Sequence, residues 1–123
     1  MPLHATAIGK ALLAYAPAAV RSQILSAPLA RLAPRTITSP QLLARQCEEI
    51  VETGIAFEFE ESAVGIVCVA APIVDGSESV LAAVSVPGPA TRFHPKVHAA
   101  SVRAAAAGIA ATLARRAALM ETI

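Results

Sequence analysis

The hydrophobic period of the chain changes at Gly54, and that change limits the fold more than any other feature. Before it, Leu43, Cys47, Ile50 and Val51 fall at helical spacing, while Arg45, Glu48, Glu49 and Glu52 occupy the opposite face. Ser39-Pro40 opens this segment as a helix start: serine caps free N–H groups, and proline suits the first helical position. Gly54 closes it, because glycine enters the left-handed C-terminal cap without strain. After Gly54, Ile55-Ala56-Phe57-Glu58-Phe59-Glu60 alternates apolar and polar residues, the pattern of a half-buried strand. A helix over 40–53 therefore runs directly into a strand near 55–60.

The remaining elements follow from the same signals. Gly65 to Val74 is almost continuously apolar and rich in Val and Ile, which predicts a central strand. Asp75-Gly76-Ser77-Glu78 is a turn, and Ser79 to Val86 a third strand that Pro87-Gly88-Pro89 interrupts. Upstream, residues 6–15 form a short helix with Thr6 as its N-cap, and 18–25 form a second one after Pro17. Pro95 to about Leu119 is an alanine-rich helix with Val102, Ile109 and Leu113 on its core side. Consecutive strands joined by tight turns are antiparallel, so the fold class is α+β, a sheet with packed helices.

A two-residue turn at Gly76-Ser77 sets Asp75 opposite Glu78, and hence Cys68 opposite Ser85, Ala70 opposite Ala83 and Ile66 opposite Pro87. Opposed residues share a face, so Cys68 and Ser85 become neighbours on a surface of small side chains with room for a small polar ligand. The same residues also make an ordinary small-residue core. The register of the first strand stays open. An even loop over Glu61–Val64 sets Phe57 opposite Cys68, whereas an odd loop or a bulge sets Glu58 there.

Composition excludes several functions. The chain has 123 residues, 55% of them hydrophobic and 15% charged, which suits one domain with an apolar core. With three Phe, one Tyr and no Trp, it lacks the stacking surface of a single-strand nucleic-acid binder. Ten Lys and Arg against nine Asp and Glu leave a net charge of +1, with no basic face for phosphates, so direct DNA contact is not expected. The apolar stretches read as too short or too interrupted to span a bilayer. No signal-peptide pattern opens the chain, which points to the cytoplasm and to free thiols at Cys47 and Cys68.

Four segments together carry a family resemblance. Residues 2–14, Pro-Leu-His-Ala-Thr-Ala-Ile-Gly-Lys-Ala-Leu-Leu-Ala, resemble the opening helix of the effector-binding domain of IclR-type transcription regulators. So does Pro34-Arg35-Thr36-Ile37-Thr38 ahead of a helix that ends in glycine before an acidic strand. Gly65-Ile66-Val67-Cys68-Val69-Ala70-Ala71-Pro72 is similar to the family's Gly-x-x-Cys-x-Ala-x-Pro strand, and residues 82–89 to the strand after it. The resemblance implies a GAF-like (profilin-like) fold, a small organic acid or aromatic metabolite as effector, and a dimer or tetramer acting on an operator. It also implies a domain whose opening strands and helix-turn-helix module precede this sequence, leaving a sheet edge that self-association covers.

Carried over by motif, the effector contacts are Ala7 and Ile8 in the first helical turn, Glu58, Cys68, Ser85 and Pro87. The N–H groups around Ala7, Ile8 and Gly9 suit a carboxylate on physical grounds as well. Two positions depart from the pattern: Pro87 stands where relatives commonly carry serine, and Ile8 is bulkier than some counterparts. Two other readings compete with the sensor. An interaction domain without ligand binding follows if the edge is all that matters. A Cys68 nucleophile would need a nearby base, and His4, His94 and His98 are remote in sequence. His94 and His98 have i,i+4 spacing but lack a third metal ligand. Neither enzymatic activity, a metal nor a cofactor is expected.

Overall fold

A computed structural model describes residues 2–77 and 79–121. Its elements are α1 (Ala7–Ala14), α2 (Ala18–Ser26), α3 (Pro40–Thr53), β1 (Ala56–Phe59), β2 (Ile66–Val74), β3 (Val80–Pro89), a 3₁₀ turn (Pro95–His98) and α4 (Ala99–Glu121). The strands form one antiparallel sheet in the order β1-β2-β3. α1 covers one face of the sheet and α3 packs on α1, so that Ala7, Ala11, Leu43, Cys47 and Ile50 share one core with Ala56, Cys68 and Ala70 of the strands. α4 covers the other, where Val102 and Ala106 meet Val69, Ala71 and Ile73. β2 is therefore buried on both sides, which explains its unbroken apolar run.

The helix boundaries follow local chemistry. The Thr6 hydroxyl accepts from the Gly9 N–H at 3.0 Å, and the Ser39 hydroxyl accepts from the Leu42 N–H at 3.2 Å. Gly54 sits at φ 74° and donates to the Ile50 carbonyl at 2.7 Å, the left-handed cap expected of it. Gly9 is required for a different reason. A Cβ there would lie 2.6 Å from Thr6 Oγ1 and 2.7 Å from the Pro2 carbonyl, because the N-terminal segment folds back against the helix.

Three apolar residues expected in the core are not there. Val51 is 51% exposed, and Ile109 and Leu113 about as open, at 40% and 42%. α3 buries only the stripe of Leu43, Cys47 and Ile50, and α4 runs past the sheet after Ala110, beyond which its described residues are exposed. The β1 alternation is also read differently by the fold. Ala56 and Glu58 occupy the buried face, while Phe57 and Phe59 are half-buried on the other.

The β2–β3 register differs from the expected one by two residues. Glu78 lies outside the described residues, but the Asp75 N–H donates to the Ser79 carbonyl at 3.0 Å, so the loop holds three residues. The Asp75 carboxylate accepts from the Ser77 N–H and hydroxyl and from the Ser79 N–H, which braces this longer turn. A bulge between Ile73 and Val74 adds the second step. Cys68 thus stands opposite Pro87, and Ser85 opposite Ala70. Because the two one-residue shifts add to an even number, every side chain keeps its expected face.

The strand also continues through Pro87 and Pro89 rather than breaking at them. Ala90 N–H bonds the Gly65 carbonyl at 2.8 Å, so by antiparallel alternation the even residues of β3 bond β2 and the odd ones point outward. Both prolines therefore place their donorless nitrogens on the free edge, where no ladder bond is lost. Pro72 survives in the central strand for the same reason: its nitrogen faces the β1 side, beyond the point where β1 begins at Ala56.

By length and composition the run Pro95–Glu121, 27 residues with a mean hydropathy of 1.3 over an 18-residue window, is long and apolar enough to cross a membrane. The sequence reading of short, interrupted stretches missed this. In the fold its first turns are a layer of the domain, since Val102 and Ala106 pack on the sheet and Arg103 donates to the Thr53 carbonyl at 3.2 Å.

Candidate functional site

The sheet face beneath α1 gathers Glu58, Cys68, Ser85 and Pro87. Glu58 stands opposite Cys68, which resolves the open register of β1, and Pro87 flanks Cys68 on the other side. Ser85 is the diagonal neighbour of Cys68, one pleat along. Ala7 and Ile8 close the group from above, since the Ala7 N–H reaches the Glu58 carboxylate at 3.4 Å. Ala7, Glu58 and Cys68 are buried, Ile8 and Ser85 half-buried and Pro87 exposed, so the group opens toward the β3 edge.

Gly9 does not belong to this group as a donor. Its N–H is taken by the Thr6 hydroxyl, which is what an N-cap does. The Ala7 N–H is shared with Glu58, whose other oxygen accepts from the Ser62 N–H at 3.1 Å and from the Ser62 hydroxyl. Of the three first-turn amides expected to greet an anion, Ile8 alone keeps an N–H unclaimed among the described residues. An internal carboxylate thus occupies much of the helix terminus that the sequence reading had offered to a ligand.

Electrostatics keep Cys68 passive. Burial pushes its thiol pKa up, the neighbouring Glu58 carboxylate pushes it further, and the Ser85 hydroxyl with the Val69 and Val86 backbone reverses this only in part. A protonated thiol beside a carboxylate is a weak hydrogen-bonding group rather than a nucleophile. His4 bonds the Ala30 carbonyl at 2.8 Å and the His98 ring stacks on Phe93 with centroids 4.8 Å apart, and among the described residues no hydrogen bond joins either to Cys68. Among the described residues no cluster of three or more His, Cys, Asp or Glu could hold a metal.

Three cavities lie elsewhere in the fold and are not lined by these residues. One of about 370 Å³ lies between α3, the outer edge of β1 and Lys96. Another of about 330 Å³ lies between α2 and α3 beside Arg21 and Cys47, and one of about 220 Å³ between β2 and α4. Sequence reasoning also missed a buried polar cluster beside the first. Lys10 is 2% exposed and donates to Glu61 at 2.8 Å and to Gln46 at 3.0 Å, while the second Glu61 oxygen accepts from the Phe59 N–H at 2.9 Å. The signal was present: helical spacing puts Lys10 on the buried face of α1 with Ala7, Ala11 and Ala14.

Residues 1–114 match the family described as bacterial transcriptional regulator IclR C-terminal. The chain is 38% identical over 96 residues to the HTH-type transcriptional repressor AllR of Klebsiella pneumoniae, covering 77% of this chain and 35% of that protein. It thus spans about a third of the curated relatives it matches. Among solved structures, an IclR homolog from Microbacterium hydrocarbonoxydans complexed with 4-hydroxybenzoate superposes with a TM-score of 0.86 at 31% identity, covering 94% of this chain and 47% of that one. The C-terminal domain of the Escherichia coli regulator KdgR superposes with a TM-score of 0.77 at 35% identity, over 89% of this chain and 70% of that one. The match over nearly the whole chain settles its kinship: it belongs to the C-terminal domain family of bacterial IclR transcriptional regulators.

Proposed function

We propose that residues 1–123 form the small-molecule-sensing, effector-binding domain of an IclR-type transcription regulator, with a GAF-like (profilin-like) arrangement of sheet and helices. The observation that carries this reading is the meeting of Ala7, Ile8, Glu58, Cys68, Ser85 and Pro87 on one sheet face under the start of α1. The effector is a small organic acid, aromatic acids included, and the relative complexed with 4-hydroxybenzoate supports that class. The Ile8 N–H and the Ser85 hydroxyl are the donors that meet its carboxylate, and the reading requires no metal or cofactor. Such a domain acts in the cytoplasm and leaves DNA contact to another part of the regulator, in keeping with its net charge of +1.

Calorimetry with 4-hydroxybenzoate and a panel of small carboxylic acids tests this. Ser85→Ala is expected to weaken binding by about 10- to 150-fold, the loss of one hydrogen bond to a charged group. Glu58→Gln is expected to tighten it, because it removes a like charge from the amide the ligand approaches. Binding that ignores Ser85 would place the effector elsewhere and refute the assignment.

A second reading rests on the β3 edge. Among the described residues β3 pairs with β2 alone, and the outward groups of Ala83 and Ser85 are free to bond another strand. Pro87 and Pro89 lack donors, which confines such pairing to the first half of the strand. Self-association into a dimer or tetramer is compatible with sensing, or is the domain's whole role if no ligand binds. Light scattering showing a monomer at high concentration would remove it.

A further inference from the structure

We propose that the cavity between α3 and the outer edge of β1 is a second small-molecule site, separate from the Cys68–Ser85 face, that takes a carboxylate with a compact apolar or aromatic body. Its volume, about 370 Å³, lies within the range of ligand pockets, and Ile50, Ile55, Phe57 and Phe59 supply apolar walls.

Among the polar side chains around it, Lys10, Gln46 and Lys96 keep N–H donors to spare. A lysine ammonium carries three N–H bonds. Lys10 uses two of them, on Glu61 and Gln46, and its third meets no acceptor among the described residues although the side chain is 2% exposed and lines the cavity. Glu61, an acceptor only, is held by Lys10 on one oxygen and by the Phe59 N–H on the other, so its charge is already paired. Gln46 gives its carbonyl to Lys10, which leaves its amide hydrogens for the cavity.

β1 adds one more donor. Glu60 N–H bonds the Ile66 carbonyl, so by alternation Phe57 and Phe59 direct their backbone groups away from β2. Glu61 caps the Phe59 N–H, and the Phe57 N–H, on a residue lining the cavity, has no acceptor among the described residues. At the mouth, Lys96 lies 5.8 Å from the centre of the Phe59 ring and makes no ion pair among the described residues. The Lys10–Glu61 pair is neutral, and the one remaining carboxylate of the lining, Glu49, is at the solvent-exposed rim. A ligand fits this arrangement when it presents acceptors toward Lys10, Gln46 and Lys96 and an apolar body toward the two Phe residues.

The test is an amide NMR titration of the intact chain with benzoate. The expected result is a saturable shift of the Gln46, Ile50, Thr53 and Phe57 amides, unchanged by Ser85→Ala. Lys96→Glu is expected to weaken that saturation by about tenfold or more, as for a lost charge-assisted contact, while Lys96→Arg preserves it. Lys96 is exposed, so neither substitution threatens the fold. The proposal is overturned if those four amides do not move, or if Lys96→Glu leaves their midpoint within about twofold of the parent. Shifts confined to Ala7, Ile8, Cys68 and Ser85 would also overturn it while supporting the other site.

Discussion

Lys10→Met keeps an unbranched side chain of similar length and deletes the ammonium. In the parent, Lys10 and Glu61 face each other at 2.8 Å with side chains 2% and 7% exposed. Removing the cation leaves the Glu61 carboxylate buried with the Phe59 N–H as its remaining partner, and strips Gln46 of its donor. Breaking a buried pair from one side costs about 3–5 kcal/mol, mostly as an uncompensated charge. Against a total stability of about 5–15 kcal/mol for a domain, that is a large share. With roughly 3–5 °C lost per kcal/mol at this chain length, the midpoint should fall by about 10–20 °C. The double variant Lys10→Met/Glu61→Gln removes both charges and retains an acceptor for the Phe59 N–H, so it should recover most of the loss. Urea unfolding followed by far-ultraviolet circular dichroism suits a chain with one Tyr and no Trp. A single variant within about 1 kcal/mol of the parent would refute the reasoning, as would a double variant no more stable than the single one.

Gly9→Ala should destabilise the domain by about 1–3 kcal/mol, because a Cβ would press on the Thr6 hydroxyl and on the Pro2 backbone; a midpoint equal to the parent's would show that the N-terminal fold-back is loose. Burial is also the first cause that raises both the Cys47 and the Cys68 thiol above the ordinary value of 9.0. An acid held protonated by the fold contributes stability that is complete below the unfolded-state pKa and is lost as pH climbs, since the unfolded chain ionises first. Unfolding free energy should therefore decline above about pH 9 through these thiols, and less so in a variant with both cysteines replaced by alanine. At neutral pH a thiol reagent should react slowly until denaturant is added; rapid reaction of the folded protein would contradict the burial of either cysteine.

Much of this protein is legible without its fold. The ends of α3 rest on Ser39-Pro40 and Gly54, whose capping chemistry depends on a few bonded neighbours, and the structure places them as expected. The strand set followed from hydrophobic period and turn signals, and the face shared by Cys68 and Ser85 from the turn, because side-chain direction in a strand depends on parity and two register errors cancelled. What the sequence left open depends on groups far apart in the chain. Glu58 faces Cys68 because the loop over Glu60–Gly65 carries a left-handed Glu60 at φ 56°, which no period reveals. Lys10 meets Glu61 across 51 residues, and the burial of both ions could be decided only by α1, α3 and β1 closing around them. Val51, Ile109 and Leu113 show the converse: their spacing marks an apolar stripe, but a stripe is buried only where another element lies against it, and that is a property of the packed molecule.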